Sequence, residues 1–304
     1  MKKSIKKSVI NLVAGVSFVT ALAIGNSATA ASMADILVIA DESGSMSGEH
    51  AWLGSMIPTM DAGLIARSVT PNVYGLLGFG TPSHLGGSGQ DPHKHAVGGG
   101  DFGTASQFQT AATGLLANGG LEDGWEAIQY GINNYNYRTT AALNLILVSD
   151  EDRDPTNASI TYANTLSAIQ GKKALLNAVV NAYFVDGAGR RALGIDSDGF
   201  AYIADGAGGY IKSAGGHATT GFVTTIADYV NMALATGGAA WDLNLLRAGG
   251  LTATSFTKAF MDIKIEEIII QDPVNPVPEP STMVLLGVGI AGLAIARRRY
   301  AQKQ

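Results

Sequence analysis

Asp41, Ser43 and Ser45 stand at alternate positions just past the apolar run Ile36-Leu37-Val38-Ile39-Ala40. A carboxylate and two hydroxyls so spaced form an oxygen-rich cup. Hard oxygen donors favour Mg²⁺, Ca²⁺ or Mn²⁺ over zinc or copper. Alone the pattern is weak, because short Asp/Ser/Gly strings are common in turns. A second carboxylate strengthens it: Asp150 follows Leu143 to Ser149 (LNLILVS), another near-continuous apolar run. Both runs are too short for helices and read as buried parallel strands. In open α/β sheets ligands bind at the C-terminal strand ends, and two adjacent strands would bring Asp41 and Asp150 to one ion.

Other candidates are weaker. Glu42, Glu151, Asp152 and Asp154 lie on the same loops. They read as solvated turn acids, with Asp152 pairing Arg153 or capping the next helix, and a second ion is the alternative. Asp91-Pro92-His93-Lys94-His95 reads as an exposed polar loop, since two alternate histidines on a flexible loop without cysteine define a transition-metal site poorly. Asp196-Ser197-Asp198-Gly199 reads as a hairpin turn: its glycine is one position early for a calcium loop and no glutamate closes it. Trp125 and Trp241 fall in element-forming stretches and read as core; with Trp52 they could otherwise form a sugar-stacking surface. Met46 occupies the serine position of a nucleophile elbow, and Gly171-Lys172-Lys173 lacks the rest of a phosphate loop. No cysteine is present, which excludes disulfides, thiolate catalysis and Cys-type zinc sites.

The elements that must position these groups alternate. Strands are expected at 35–40, 73–79, 143–149, 175–185 and 239–243. Helices are expected at about 49–68, 105–117, 123–134, 161–170, 222–234 and 252–267. Residues 80–103 form a Gly-rich loop with room for a short edge strand, and 186–216, rich in Gly and Asp, reads as an inserted pair of hairpins. This order implies a doubly wound, mostly parallel central sheet with helices on both faces. Between residues 31 and 277 there are 24 acidic and 12 basic residues, a balance of −12. Such a body repels nucleic acid and attracts cations.

The remaining basic residues mark the ends. Lys2, Lys3, Lys6 and Lys7 precede an apolar stretch from Val9 to Ile24, and Ala28-Thr29-Ala30 gives a small-x-small cleavage site at Ala28 and Ala30. Residues 1–30 therefore read as a secretory signal peptide. Residues 271–280 form a proline-rich linker. Residues 281–304 read as a single short transmembrane helix followed by a basic tail with Arg297, Arg298 and Arg299 on the cytoplasmic side. The order Pro278-Glu279-Pro280, apolar helix, arginine cluster resembles the PEP-CTERM sorting signal of Gram-negative bacteria that make extracellular polysaccharide. That resemblance implies processing by an exosortase, a transient membrane anchor, and delivery to the cell surface or biofilm matrix.

The body, 31–270, resembles a von Willebrand factor A (vWA) domain. The matching stretches are ILVIADESGSM at 36–46, NGGLEDGWEAI at 118–128 and LILVSDEDRD at 145–154. The resemblance implies a metal-ion-dependent adhesion site with Asp41, Ser43, Ser45 and Asp150 as ligands of Mg²⁺ or Ca²⁺. Many family members carry a metal-binding threonine after Gly119-Gly120. Here that place holds Leu121, followed by Glu122. The setting looks like the integrin β version, which implies Glu122 as the third-loop ligand; Asp123 is the alternative and is also placed to cap the next helix. The implied function is a non-enzymatic, metal-dependent adhesion module whose ion meets an acidic group on a protein or polysaccharide. The alternatives are a structural matrix protein using ions for stability, and a metal-dependent hydrolase, for which a poised general base is lacking.

Overall fold

The computed structural model describes residues 31–80 and 91–271. The signal peptide, most of the linker, the apolar C-terminal segment and the sorting residues lie outside them. The chain runs β1 (Ala34–Asp41), a 3₁₀ turn (Gly44–Met46), α1 (Ser47–Ala66), β2 (Val73–Phe79), β3 (His93–His95), α2 (Ala105–Ala112), α3 (Gly124–Asn134), β4 (Ala142–Ser149), α4 (Tyr162–Gly171) and β5 (Leu175–Val180). It continues through β6 (Ala182–Val185), β7 (Arg191–Ala192), β8 (Gly194–Asp196), β9 (Phe200–Ala204), β10 (Tyr210–Ala214) and β11 (His217–Gly221). A π-helical turn (Ile226–Val230) leads into α5 (Asn231–Ala235), then β12 (Ala239–Asp242), α6 (Leu243–Arg247) and α7 (Gly250–Ile270).

The main sheet has nine strands in the order β10-β9-β8-β12-β5-β4-β1-β2-β3. Its heart, β12-β5-β4-β1-β2, is parallel, while β3 and the β8–β10 wing are antiparallel. β1 and β4 are buried along their whole length, which explains their near-continuous apolar sequences. Successive side chains of β1 feed opposite cores. Ile36, Val38 and Ala40 join the core under α1, α2 and α7, and Leu37 and Ile39 join the one under α3, α4 and α5. In α1 the residues Leu53, Met56, Ile57, Met60 and Leu64 form the buried stripe. Each such side chain stabilises the fold by about 1.5–3 kcal/mol relative to exposure.

Strand order locates a crevice. From β1 the chain moves outward to β2 and β3, then returns to place β4 on the other flank of β1. The C-terminal ends of β1 and β4 therefore border a topological switch point, where open α/β sheets bind ligands.

Several expectations need correction. The run 175–185 is two strands: the chain breaks at Asn181, and β6 joins β7 and β11 in a separate three-stranded sheet. Asn181 is held there by Phe222 N–H on its carbonyl (3.0 Å) and Asn244 on its side chain (2.9 Å). The expected hairpins at 186–216 are real, but β8, β9 and β10 extend the main sheet. The last expected strand is present as β12, and the β8–β10 wing places it between β5 and β8. The helix expected from 222 starts only at the π-helical turn. Among the described residues, no helix is long and apolar enough to cross a membrane.

Candidate metal centre

Register brings the two acidic strand ends together. Ala40 pairs with Val148, so Asp41 lies beside Ser149. Ser149 donates its hydroxyl to Asp41 Oδ2 at 2.8 Å, and the Ser43 amide donates to Asp41 Oδ1 at 2.7 Å. The Ser43 and Ser45 hydroxyls are 3.1 Å apart, and Ser45 donates to Asp150 Oδ1 at 3.0 Å. Asp41, Ser43, Ser45 and Asp150 thus form one connected polar cluster at the switch point.

The third loop is laid against the first by backbone bonds. The amides of Asn118 and Gly119 donate to the Glu42 carbonyl (3.0 and 2.9 Å), and the Gly44 amide donates to Gly119. Leu121 and Glu122 follow. The backbone of Glu122 is fixed on both sides: its amide donates to Asp154 Oδ2 (3.2 Å), and its carbonyl accepts from the Asp154 amide (2.8 Å). Glu122 is only 1% exposed, and no donor reaches either carboxyl oxygen; its one polar neighbour is the carboxyl of Glu151, with which it can share its own proton. Burial, and then the charges of Asp41, Glu151, Asp154 and Asp150, push it up to about 9. Burial likewise pushes Asp41 up to about 6, against the hydrogen bonds from Ser43 and Ser149.

A buried carboxyl with no donor to satisfy it costs about 1–3 kcal/mol, more once ionised. A cation would remove that cost, and Asp41, Asp150, Ser43 and Ser45 offer it hard oxygen donors; the acids the structure groups with Glu122 are Glu151 and Asp154. Asp123 is committed elsewhere. It caps α3 through the amides of Trp125 and Glu126, and Arg153 grips both its oxygens at 2.6 and 2.7 Å.

The neighbouring acids differ from their expected roles. Asp152 accepts from the Thr224 hydroxyl and does not pair with Arg153, whose partner is Asp123. Glu151 and Asp154 place oxygens within 4.8 Å of each other and of Glu122, so Glu122 stands between the Asp41 cup and a second acidic group. Glu42 is fully buried rather than solvated, and its carboxyl meets His93 and His95. Those histidines belong to β3, not to an exposed loop. Trp125 and Trp241 are core residues, and Asp196 closes the β8–β9 turn by accepting from the amides of Asp198 and Phe200.

Residues 276–299 match the PEP-CTERM protein-sorting motif. The motif implies an exported chain processed by an exosortase, in agreement with Pro278-Glu279-Pro280 and Arg297–Arg299. No curated protein matches the chain. Among solved structures, it is similar to proximal thread matrix protein 1 from the mussel byssus, at 12% identity over 50% of this chain and 36% of that one (TM-score 0.35). It is also similar to the three N-terminal domains of the type V pili tip protein Mfa5 from Porphyromonas gingivalis, at 18% identity over 41% of this chain and 20% of that one (TM-score 0.30). For the vWF domain of Mfa5 the identity is 19% over 41% of this chain and 39% of that one (TM-score 0.29). The chain spans less than two fifths of the length of each of these.

Arg247 is the site residue that sequence reasoning missed. It stands in the last turn of α6 and donates to Asp150 Oδ2 (2.9 Å), Glu49 Oε1 (2.8 Å) and the Ser45 carbonyl (3.1 Å). It lies 97 positions from Asp150, and no local pattern marks it.

Proposed function

We propose that this chain is an exported, non-enzymatic adhesion module of vWA type. It holds Mg²⁺ or Ca²⁺ through Asp41, Ser43, Ser45, Glu122 and Asp150, and presents the ion to an acidic group on a protein or polysaccharide. The observation that carries the reading is the Glu122 carboxyl, buried with no donor to either oxygen and raised by the charges of Asp41 and Asp150 at the switch point. The Asp41-x-Ser43-x-Ser45 spacing and the β1/β4 placement of Asp41 and Asp150 add support. The sorting motif supplies the destination: a transient anchor, exosortase processing near Glu279-Pro280, and the cell surface or extracellular polysaccharide matrix.

A second reading, an ion used for stability alone, is favoured by the burial of Asp41, Glu122 and Asp150. Binding of the mature exported protein to surface extracts and extracellular polysaccharide, in Mg²⁺ or Ca²⁺ and in chelator, separates the two. The adhesion reading expects binding to vanish in chelator and in Asp41→Ala. If the variant melts lower yet binds as well as the parent, adhesion through the ion is wrong and the stabilising role stands. Intact mass tests sorting: a mature surface species still ending at Gln304 excludes processing at Glu279-Pro280.

A further inference from the structure

On the other side of β1 from the oxygen cup, Glu42, His93 and His95 converge. β3 pairs antiparallel with β2, with His93 opposite Gly78 and His95 opposite Leu76. Alternate positions of a strand share a face, so both imidazoles turn the same way. His95 Nε2 is 3.0 Å from Glu42 Oε1, His93 Nε2 is 3.2 Å from Glu42 Oε2, and the rings are 4.9 Å apart. The Glu42 side chain is wholly shielded from solvent. The Leu116 amide donates to its Oε1 at 2.6 Å, while Oε2 has no hydrogen bond.

Gly78 makes this convergence possible. A Cβ there would stand 2.6 Å from Glu42 Cδ and 2.7 Å from His95 Nε2, closer than side-chain carbons come. The His93 ring is also oriented from behind. Its Nδ1 lies 2.8 Å from the Asp91 carbonyl oxygen, which only accepts, so Nδ1 carries the hydrogen. Nε2 lies 3.2 Å from Glu42 Oε2 but off the line of a hydrogen bond, so neither atom is committed to the other. An Nδ1–H to carbonyl bond behind an outward Nε2 is the usual support of a metal-binding histidine.

We propose that Glu42, His93 and His95 form a second metal site, selective for a first-row transition ion of the Zn²⁺ class. Two imidazole nitrogens and one carboxylate are borderline donors, unlike the all-oxygen set of Asp41. Zinc holds such ligands at about 2.0–2.1 Å, which separates neighbouring tetrahedral ligands by about 3.3 Å. Each imidazole lies near that spacing from one carboxylate oxygen (3.0 and 3.2 Å), and one ligand atom from each of the three residues lies within 4.8 Å of the other two. His93 is about a third exposed, which gives the ion an entry path and leaves a fourth position for water or an outside ligand. The bound ion pins the edge strand β3 to the end of β1.

The test is Zn²⁺ titration of the full chain by competition with a chromogenic chelator, in excess Mg²⁺ to occupy the oxygen cup. One equivalent is expected, with affinity reduced more than tenfold in His95→Ala and in His93→Ala and kept in Asp41→Ala. Equal affinity in the parent and the double histidine variant overturns the proposal. So does loss of zinc binding in Asp41→Ala alone, which moves zinc to the oxygen cup. Should the variants fail to fold, zinc-edge X-ray absorption of the unaltered chain decides: two imidazoles in the shell are expected, and a shell without imidazole overturns the site. If His93 and Glu42 are instead joined by a proton, no zinc binds and the proposal falls.

Discussion

Asp41 and Glu42 are chain neighbours with fully buried side chains, yet they face different chemistry. Asp41 engages Ser149 of β4 and the Ser43 amide, beside hydroxyl and carboxylate oxygens as the candidate metal donors. Glu42 engages the imidazoles of β3, across the glycine of β2. The carboxylate supplies charge in both places, and the flanking strand decides which ion that charge suits. One strand end can therefore carry two ion selectivities because its neighbours on either side differ.

The largest effect that separates the pockets is expected from pH in the metal-free chain. Glu122 stands near 9 in the fold against an ordinary value of 4.5, and Asp41 near 6 against 3.8. The folded chain therefore holds protons that the unfolded chain has released. Stability from these groups is complete below about 4 and is lost as pH rises through 6 and then 9, by up to about 1.4 kcal/mol per pH unit for each proton. Urea midpoints in chelator should fall from pH 5 to pH 9, and Glu122→Gln should flatten the fall. Saturating Ca²⁺ should reverse the trend, since ligation needs ionised carboxylates. A chelated parent whose stability is flat across this range would remove the case for a strained oxygen cup.

The next effect is a crossover. Asp41→Ala should weaken Mg²⁺ or Ca²⁺ binding by more than about 100-fold, beyond the range seen for residues that merely support a ligand. It should leave zinc binding intact, and His95→Ala should do the reverse. Calorimetric titration of both ions into both variants reads this directly. Loss of both ions in either variant would make the two pockets one site.

How much of this was legible in the sequence differs between the two pockets for a physical reason. Asp41, Ser43 and Ser45 lie on one turn, so spacing alone describes their cup. Asp150 follows because a near-continuous apolar run reads as a central strand. The choice of Glu122 rests on the resemblance of its setting to the integrin β form, not on spacing. The imidazole pocket depends on β3, three residues long, pairing with β2. A three-residue strand has no periodicity to detect, so His93 and His95 read as loop. Arg247 was hidden likewise, because only the tertiary fold brings α6 to Asp150. The same limit explains β6: nothing in LLNAVVNAYFV shows that Asn181 ends one sheet and opens another.

Gly78→Ala attacks one pocket without replacing a ligand. Its Cβ overlaps Glu42 Cδ and His95 Nε2, and overpacking of this kind costs about 1–3 kcal/mol. The expected result is a lower melting temperature, weaker zinc binding and an unchanged Mg²⁺ response. A Mg²⁺ response that falls together with zinc would show that a shift of Glu42 is transmitted through the backbone to Asp41.

The smallest expected effect comes from Arg247→Lys, and it sharpens the description of the oxygen cup. The guanidinium joins Glu49 of α1, the Ser45 carbonyl and Asp150. Its charge should repel a cation, while its fork holds two of the ligands in place. Lysine keeps the charge and loses the fork, so the substitution isolates positioning. Mg²⁺ affinity should fall by about tenfold, the lower end for a residue that orients a ligand, with zinc affinity unchanged. Arg247→Met removes the charge as well. If affinity rises in the methionine variant and is unaltered in the lysine one, repulsion is the dominant role of Arg247, and Ser45 alone holds Asp150 for the ion.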